Sequence, residues 1–230
     1  RSAFNAANVS NPLTLSRIFL KRGINPPNLS SVGTVDFNGP EAFDPSTTPI
    51  TVNGIIAGEQ VAASNTFITN TLSYGSLGAV SLTTGSTLNI PIVPPARTAT
   101  GDVQAIAVNA ATIAGSSVTQ IRSVTAAFRD PANAAVTLGA VVGTPTISTL
   151  ASAPYARLRA QTTRQNDYQD FWSANFSQTS TASRRSVSIT MSAAYLGAGS
   201  SLDLFIPDFA GVGGWQNTWG PIAGNLTTWN

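Results

Sequence analysis

The residues able to do chemistry in this chain are few, and their types exclude most of it. No histidine and no cysteine occurs among the 230 residues. Zinc sites built from Cys and His, Ser-His-Asp and Cys-His nucleophilic systems, disulfides and thiolate chemistry are therefore all excluded. The ten acids remain. Asp36, Glu41 and Asp44 form one cluster, Asp167 and Asp170 a second, and loop carboxylates with backbone carbonyls are the ligands calcium takes. Neither cluster has the EF-hand spacing, and the solvation of an ordinary loop explains both, so no metal is expected. Two carboxylates suffice for glycoside hydrolysis, but nothing in the spacing of these ten selects a pair. Gly211, Gly213 and Gly214 do not make a phosphate loop: no Lys follows them and no strand–loop–helix context surrounds them. The sequence thus predicts a protein that is not an enzyme and needs no cofactor.

Binding is a different matter. Trp215, Trp219 and Trp229 stand in a tail of Gly, Asn, Gln and Thr. Exposed indoles stack on sugar faces; buried ones cover the end of a core, and each ring buries a large area. The structural use is the stronger expectation. Tyr155, Arg157, Arg159 and Gln161 share one face of a period-two stretch, opposite Ala156, Leu158 and Ala160. With Arg184 and Arg185 that face fits an anionic glycan or a partner's carboxylates. A solvated strand face explains it as well, and alternating Arg also discourages edge pairing. Candidate ligand-binding residues are accordingly Trp215, Trp219, Trp229, Tyr155, Arg157 and Arg159. Asn8, Asn28, Asn175 and Asn225 each open an Asn-x-Ser/Thr triplet, as chance provides in a chain so rich in these residues.

Composition says what must position these side chains. Charged residues are only 10% of the chain, against about a quarter in an average globular domain, while hydrophobic residues are 42%. Ser, Thr, Asn and Gly replace the missing charge. Disorder is not expected, because disordered chains are charge-rich and poor in β-branched residues. Lys21 is the single lysine, which argues against exposed helices dressed in Lys and Glu. A net charge of +2 provides no basic field for nucleic acid, whose binding needs many phosphate contacts. No run of 18 apolar residues is present, so no membrane-spanning helix is expected. No basic-then-apolar leader opens the chain, and a start at Arg1 fits a processed or truncated product.

The chain is organised by alternation. In Ser186–Ser192, Val187, Ile189 and Met191 point one way and the hydroxyl residues the other; Leu202, Leu204 and Ile206 repeat the pattern up to Pro207. Gly197 and Gly199 supply the reversal between the two, which predicts a strand that turns back on itself. Similar stretches occur at Leu13–Leu20, Ile50–Ile56, Val61–Leu72, Ala79–Leu82, Thr87–Val93, Val118–Phe128, Ala134–Leu138, Tyr155–Gln161 and Trp172–Gln178. Residues 57–60 have the length of a hairpin turn between two of them. Asp102–Ala114 fits either period; with strands as neighbours, 102–109 is read as a strand. Asp208–Val212 could form one helical turn capped by Asp208. Short strands punctuated by Gly, Pro and Asn predict an all-β fold: two consecutive antiparallel β-sandwich units, Ig-like or jelly-roll-like, with little helix. The expected divisions are an arm over 1–12, a sandwich over 13–140 and a smaller sandwich with a Trp-rich tail over 141–230.

The stretch Pro40–Gly54, the Asp130-Pro131 turn, and Ile206-Pro207-Asp208-Phe209 with Gly214-Trp215 and Trp219-Gly220 resemble uncharacterised bacterial secreted or lipoprotein-like proteins. That resemblance implies export and no particular activity. The expected function is that of an extracellular or cell-envelope structural or adhesive protein, a self-assembling envelope or surface-filament subunit. Its partners would be copies of itself or other envelope proteins, and the arm could add a strand to a neighbour's sheet. The alternative is a carbohydrate-binding module led by the three tryptophans.

Overall fold

The computed structural model describes residues 17–22, 34–114, 117–168, 170–179, 183–225 and 227–229. The expected arm over 1–12, the first half of the Leu13–Leu20 candidate, and Asn8 and Asn28 lie outside them. The chain forms two compact units, one up to Gly139 and one from Ala140 onward. It is all-β with little helix, as the alternation predicts.

Strands of the first unit are β1 (Ile18–Phe19), β2 (Ala42–Phe43), β3 (Ser46–Asn53), β4 (Glu59–Ile68), β5 (Tyr74–Thr83), β6 (Thr87–Ile92), β7 (Val103–Ala114), β8 (Ser117–Phe128) and β9 (Ala135–Thr137). One sheet runs β5-β4-β7-β8 and the other β6-β3-β9; β1 and β2 form a two-stranded ribbon. Pairing is antiparallel except between β3 and β9. Every second residue of β4 is buried, and the inward columns of β3, β4, β6 and β7 supply Ile50, Val52, Val61, Ala63, Leu88, Ile90, Ile106 and Val108 to one core. Each fully buried Val, Leu or Ile is worth about 1.5–3 kcal/mol, which is what holds two sheets face to face.

One local expectation is corrected and another is borne out. Residues 57–60 do not close a hairpin, because β3 and β4 belong to different sheets. The segment between them crosses the sandwich instead, turned by Glu59, whose N–H donates to the Ile56 carbonyl and whose carboxylate accepts the Ile56 N–H. The strand preferred over a helix at 102–109 is present and runs on to Ala114, paired on both sides by β4 and β8. Asp102 caps no helix there; its buried carboxylate takes the N–H groups of Asn70 and Ala99 and the Arg22 guanidinium.

The second unit comprises β10 (Thr146–Ala151), β11 (Arg157–Thr163), β12 (Phe171–Thr179), β13 (Arg184–Ser192), a single turn α1 (Ala193–Leu196), β14 (Ser201–Phe205) and β15 (Thr228–Trp229). Its sheets are β10-β11-β14 and β13-β12-β15. The expected turn-back from Ser186–Ser192 to Leu202 is therefore also corrected: β13 pairs with β12, and β14 with β11. Ser192 caps α1 by accepting the Tyr195 N–H, and Gly197, at φ 63°, ends it and redirects the chain to the opposite sheet. Both strands bury an apolar column in the same core, one from each sheet. Trp172, Phe176 and Ile189 meet Leu158, Leu202 and Leu204 there. The expected helical turn over 208–212 is absent; Asp208 accepts the Ala210 N–H and forms an Asx turn in its place.

Candidate functional site

The tail of the second unit gathers most of the expected binding residues, but Tyr155 is buried and Trp215, Arg157 and Arg159 are half-buried. Tyr155 precedes β11 and is 3% exposed. It does not share a solvated face with Arg157 and Arg159: the alternation starts only at Arg157, and Ala156 donates its N–H to Pro221 in the tail. The Tyr155 hydroxyl accepts the Phe209 N–H at 2.5 Å and lies 3.2 Å from the Pro207 carbonyl, to which it donates. Its ring sits 5.5 Å from Trp215, which also packs on Phe209 at 4.8 Å. Trp215 is thus half-buried, packed against the core of the second unit.

Trp219 is different. Its ring meets Trp215 edge-on at 5.8 Å and remains 54% exposed. Arg185 fixes the backbone on either side of it, donating to the carbonyls of Thr218 and, at 2.7 Å, Gly220. Trp229, in β15, is paired with Phe176 and is 43% exposed at the sheet margin. Trp215 and Trp219 are brought together; among the described residues no ring pair joins Trp229 to them.

The arginines are occupied. Arg159 grips Asp203 with two N–H groups, Nε at 2.6 Å, and that carboxylate's hydrogen bond raises the guanidinium pKa further. Arg157 donates to the Ile206 carbonyl at 3.1 Å and to Asp208 at 3.3 Å. Neither presents the open fork that an anionic ligand requires. The acids fare likewise: Asp44 pairs with Arg17, Glu41 with Lys21, Asp36 accepts the Asn38 N–H, and Asp167 accepts that of Ala140. Among the described residues no three of them converge as a metal site would need.

Sequence reasoning missed two glutamines. Gln178, inward-facing on β12, donates to the Ile222 carbonyl and accepts the Ile222 N–H, so its amide stands in for a strand that the tail does not form. Gln104 does the same for Val93 where β6 ends, and takes a further hydrogen bond from Asn65. The available signal was a polar residue in an apolar column.

A cavity of about 680 Å³ opens in the first unit between β1 and the start of β5. Ile18, Leu20, Phe67 and Leu77 make it apolar, and the cations at its rim, Lys21 and Arg22, are paired with Glu41 and Asp102. Ser and Thr hydroxyls line it, but among the described residues no carboxylate does.

Among the described residues one sheet margin is long and regular: the outer edge of β13. Of the sheet margins, β5 is interrupted by two register shifts, β10 by one, and β6 carries Pro91. β8 points Arg122 inward, and β9, β14 and β15 have five residues or fewer. These are the usual devices that blunt an edge. β13 pairs with β12 over nine residues without a shift, from Phe171↔Ser192 to Thr179↔Arg184. From Ser186 to Ser192 it contains no charge and no proline. Its outward hydroxyls are tied to β12: Asn175 donates to Ser186 at 3.0 Å and Ser188 at 2.7 Å, and Thr190 lies 3.2 Å from Ser173. No protein-family model, no curated protein and no solved structure matches the chain.

Proposed function

We propose that the protein is a structural or adhesive subunit of the cell exterior or envelope, acting through its sheet surfaces and associating with copies of itself. The observation that carries this reading is the unblunted β13 edge beside a face of interlocked, uncharged hydroxyls. Its charges support it. Six ion pairs among the described residues engage six of the twelve cations and six of the ten acids. What is left is six cations and four acids, a net +2 that makes no strong field for nucleic acid. The two buried acids serve the fold and not a reaction. Arg122's hydrogen bond, against the upward push of burial, holds Glu59 below the usual carboxylate range. Asp102 is pushed up by burial, but Arg22 and the Ala99 and Asn70 N–H groups outweigh that and hold it low. Neither is poised as a general acid. The resemblance to exported proteins agrees with an extracytoplasmic place. Measured by sedimentation or light scattering, the solution mass should rise with protein concentration; a constant monomer mass across the micromolar range would defeat the reading.

A second reading is favoured by Trp219 alone. An indole half exposed, braced from behind by Trp215 and flanked by carbonyls fixed on Arg185, is a preorganised platform for a sugar face. Trp219→Ala should then abolish binding on a glycan array while leaving the thermal midpoint within a few degrees. Equal binding by the variant, or none by either protein, ends it.

A further inference from the structure

We infer that β13 pairs antiparallel with β13 of a second copy about a twofold axis at Ile189, joining two three-stranded sheets into one of six strands. This rests on the self-association proposed above and names the surface that performs it.

The argument is one of register. In an antiparallel pair centred on Ile189, residue i faces residue 378 − i of the other copy. Ser188 then faces Thr190, Val187 faces Met191 and Ser186 faces Ser192. Ser-Val-Ser-Ile-Thr-Met-Ser therefore reads the same in both directions by type: hydroxyl on the outer face, apolar on the inner. Shifting the register by one residue would set these columns on opposite faces. Isologous contacts need such self-complementarity. Val187 and Met191 lie only partly buried on the inner side of β13, so each gains a neighbour from the other copy.

Charge permits this centre. Arg184 and Arg185 would face Ala194 and Ala193, so no like charges meet. α1 begins directly after Ser192 and the chain leaves the edge there, which limits the paired length to β13 itself.

The chain's lack of cysteine makes the register testable. Ser188→Cys and Thr190→Cys are prepared separately, mixed, and oxidised with a glutathione couple at concentrations where the mass exceeds a monomer. The mixture should give covalent dimer several-fold faster than either variant alone. Ser188→Lys with Thr190→Lys, both at exposed positions, should weaken association by about tenfold with unchanged circular dichroism. Association without preferential cross-linking in the mixture, or unweakened by the lysines, overturns the β13 pairing and leaves self-association standing through another surface. A monomer at every concentration overturns both.

Discussion

Arg122→Ala should lower the unfolding free energy of the first unit by about 3–5 kcal/mol, read from urea denaturation. The Arg122 and Glu59 side chains are 4% and 0% exposed and meet at 2.5 Å, with a second bond from Nε at 2.8 Å. Arg122 also donates to the carbonyls of Gly54 and Gly139, and Glu59 accepts the Ile56 N–H. One ion pair thus ties β8, the end of β3, the crossing to β4 and the last residue of the unit. Removing the cation leaves a carboxylate in the core with no countercharge, and three segments lose their anchor. Replacing both partners, Glu59→Leu with Arg122→Met, should recover part of the loss, because the desolvation of two charges disappears with them. The pH dependence has a definite sign. Glu59 is held below its ordinary pKa in the folded state, so its contribution is present above the unfolded value and lost as pH falls through the folded one. The wild-type protein should therefore lose stability below about pH 4, and Glu59→Gln should flatten that dependence. A single alanine variant costing under 1 kcal/mol would mean that water or another group replaces the partner.

Gly220→Ala should destabilise the second unit by about 1–3 kcal/mol and raise the exposure of Trp215, seen as a red shift of its fluorescence. A methyl at Gly220 would stand 2.6 Å from Cγ and 2.7 Å from Cβ and Cδ2 of Tyr155. The obstacle is a ring fixed at both ends, by its buried position and by its hydroxyl on Phe209 and Pro207, so it cannot swing aside. The tail must move out, and the Arg185 and Gln178 bonds that hold it go with it. Tyr155→Ala in the same background should make the added methyl harmless; if Gly220→Ala alone is neutral, the tail does not lie on Tyr155.

Alternation made the strands legible. Val61, Ala63 and Phe67, or Trp172, Ala174 and Phe176, each declare an inward column in plain sequence. Partner choice was not legible, because Ser186–Ser192 looks the same whether Leu202 follows it in its own sheet or in the opposite one; the distinction lies in α1 and the turn at Gly197, which local pattern does not weigh. The site was half legible. Trp219 announced itself by its polar neighbours, yet so did Trp215, and only Phe209 and Tyr155 folding over the latter separate them. Arg157 and Arg159 looked available because Asp208 and Asp203 lie some fifty residues away in sequence. Ion pairing across a sheet leaves no local trace.

Gln178 and Gln104 grip Ile222 and Val93 by main-chain atoms alone. Such a clasp is indifferent to which side chain its captive bears, so the held segments are free to drift in evolution while the two amides are not. Variation could remodel the tail around Trp219 without loosening its attachment, and a new binding preference could arise there at little risk to the architecture.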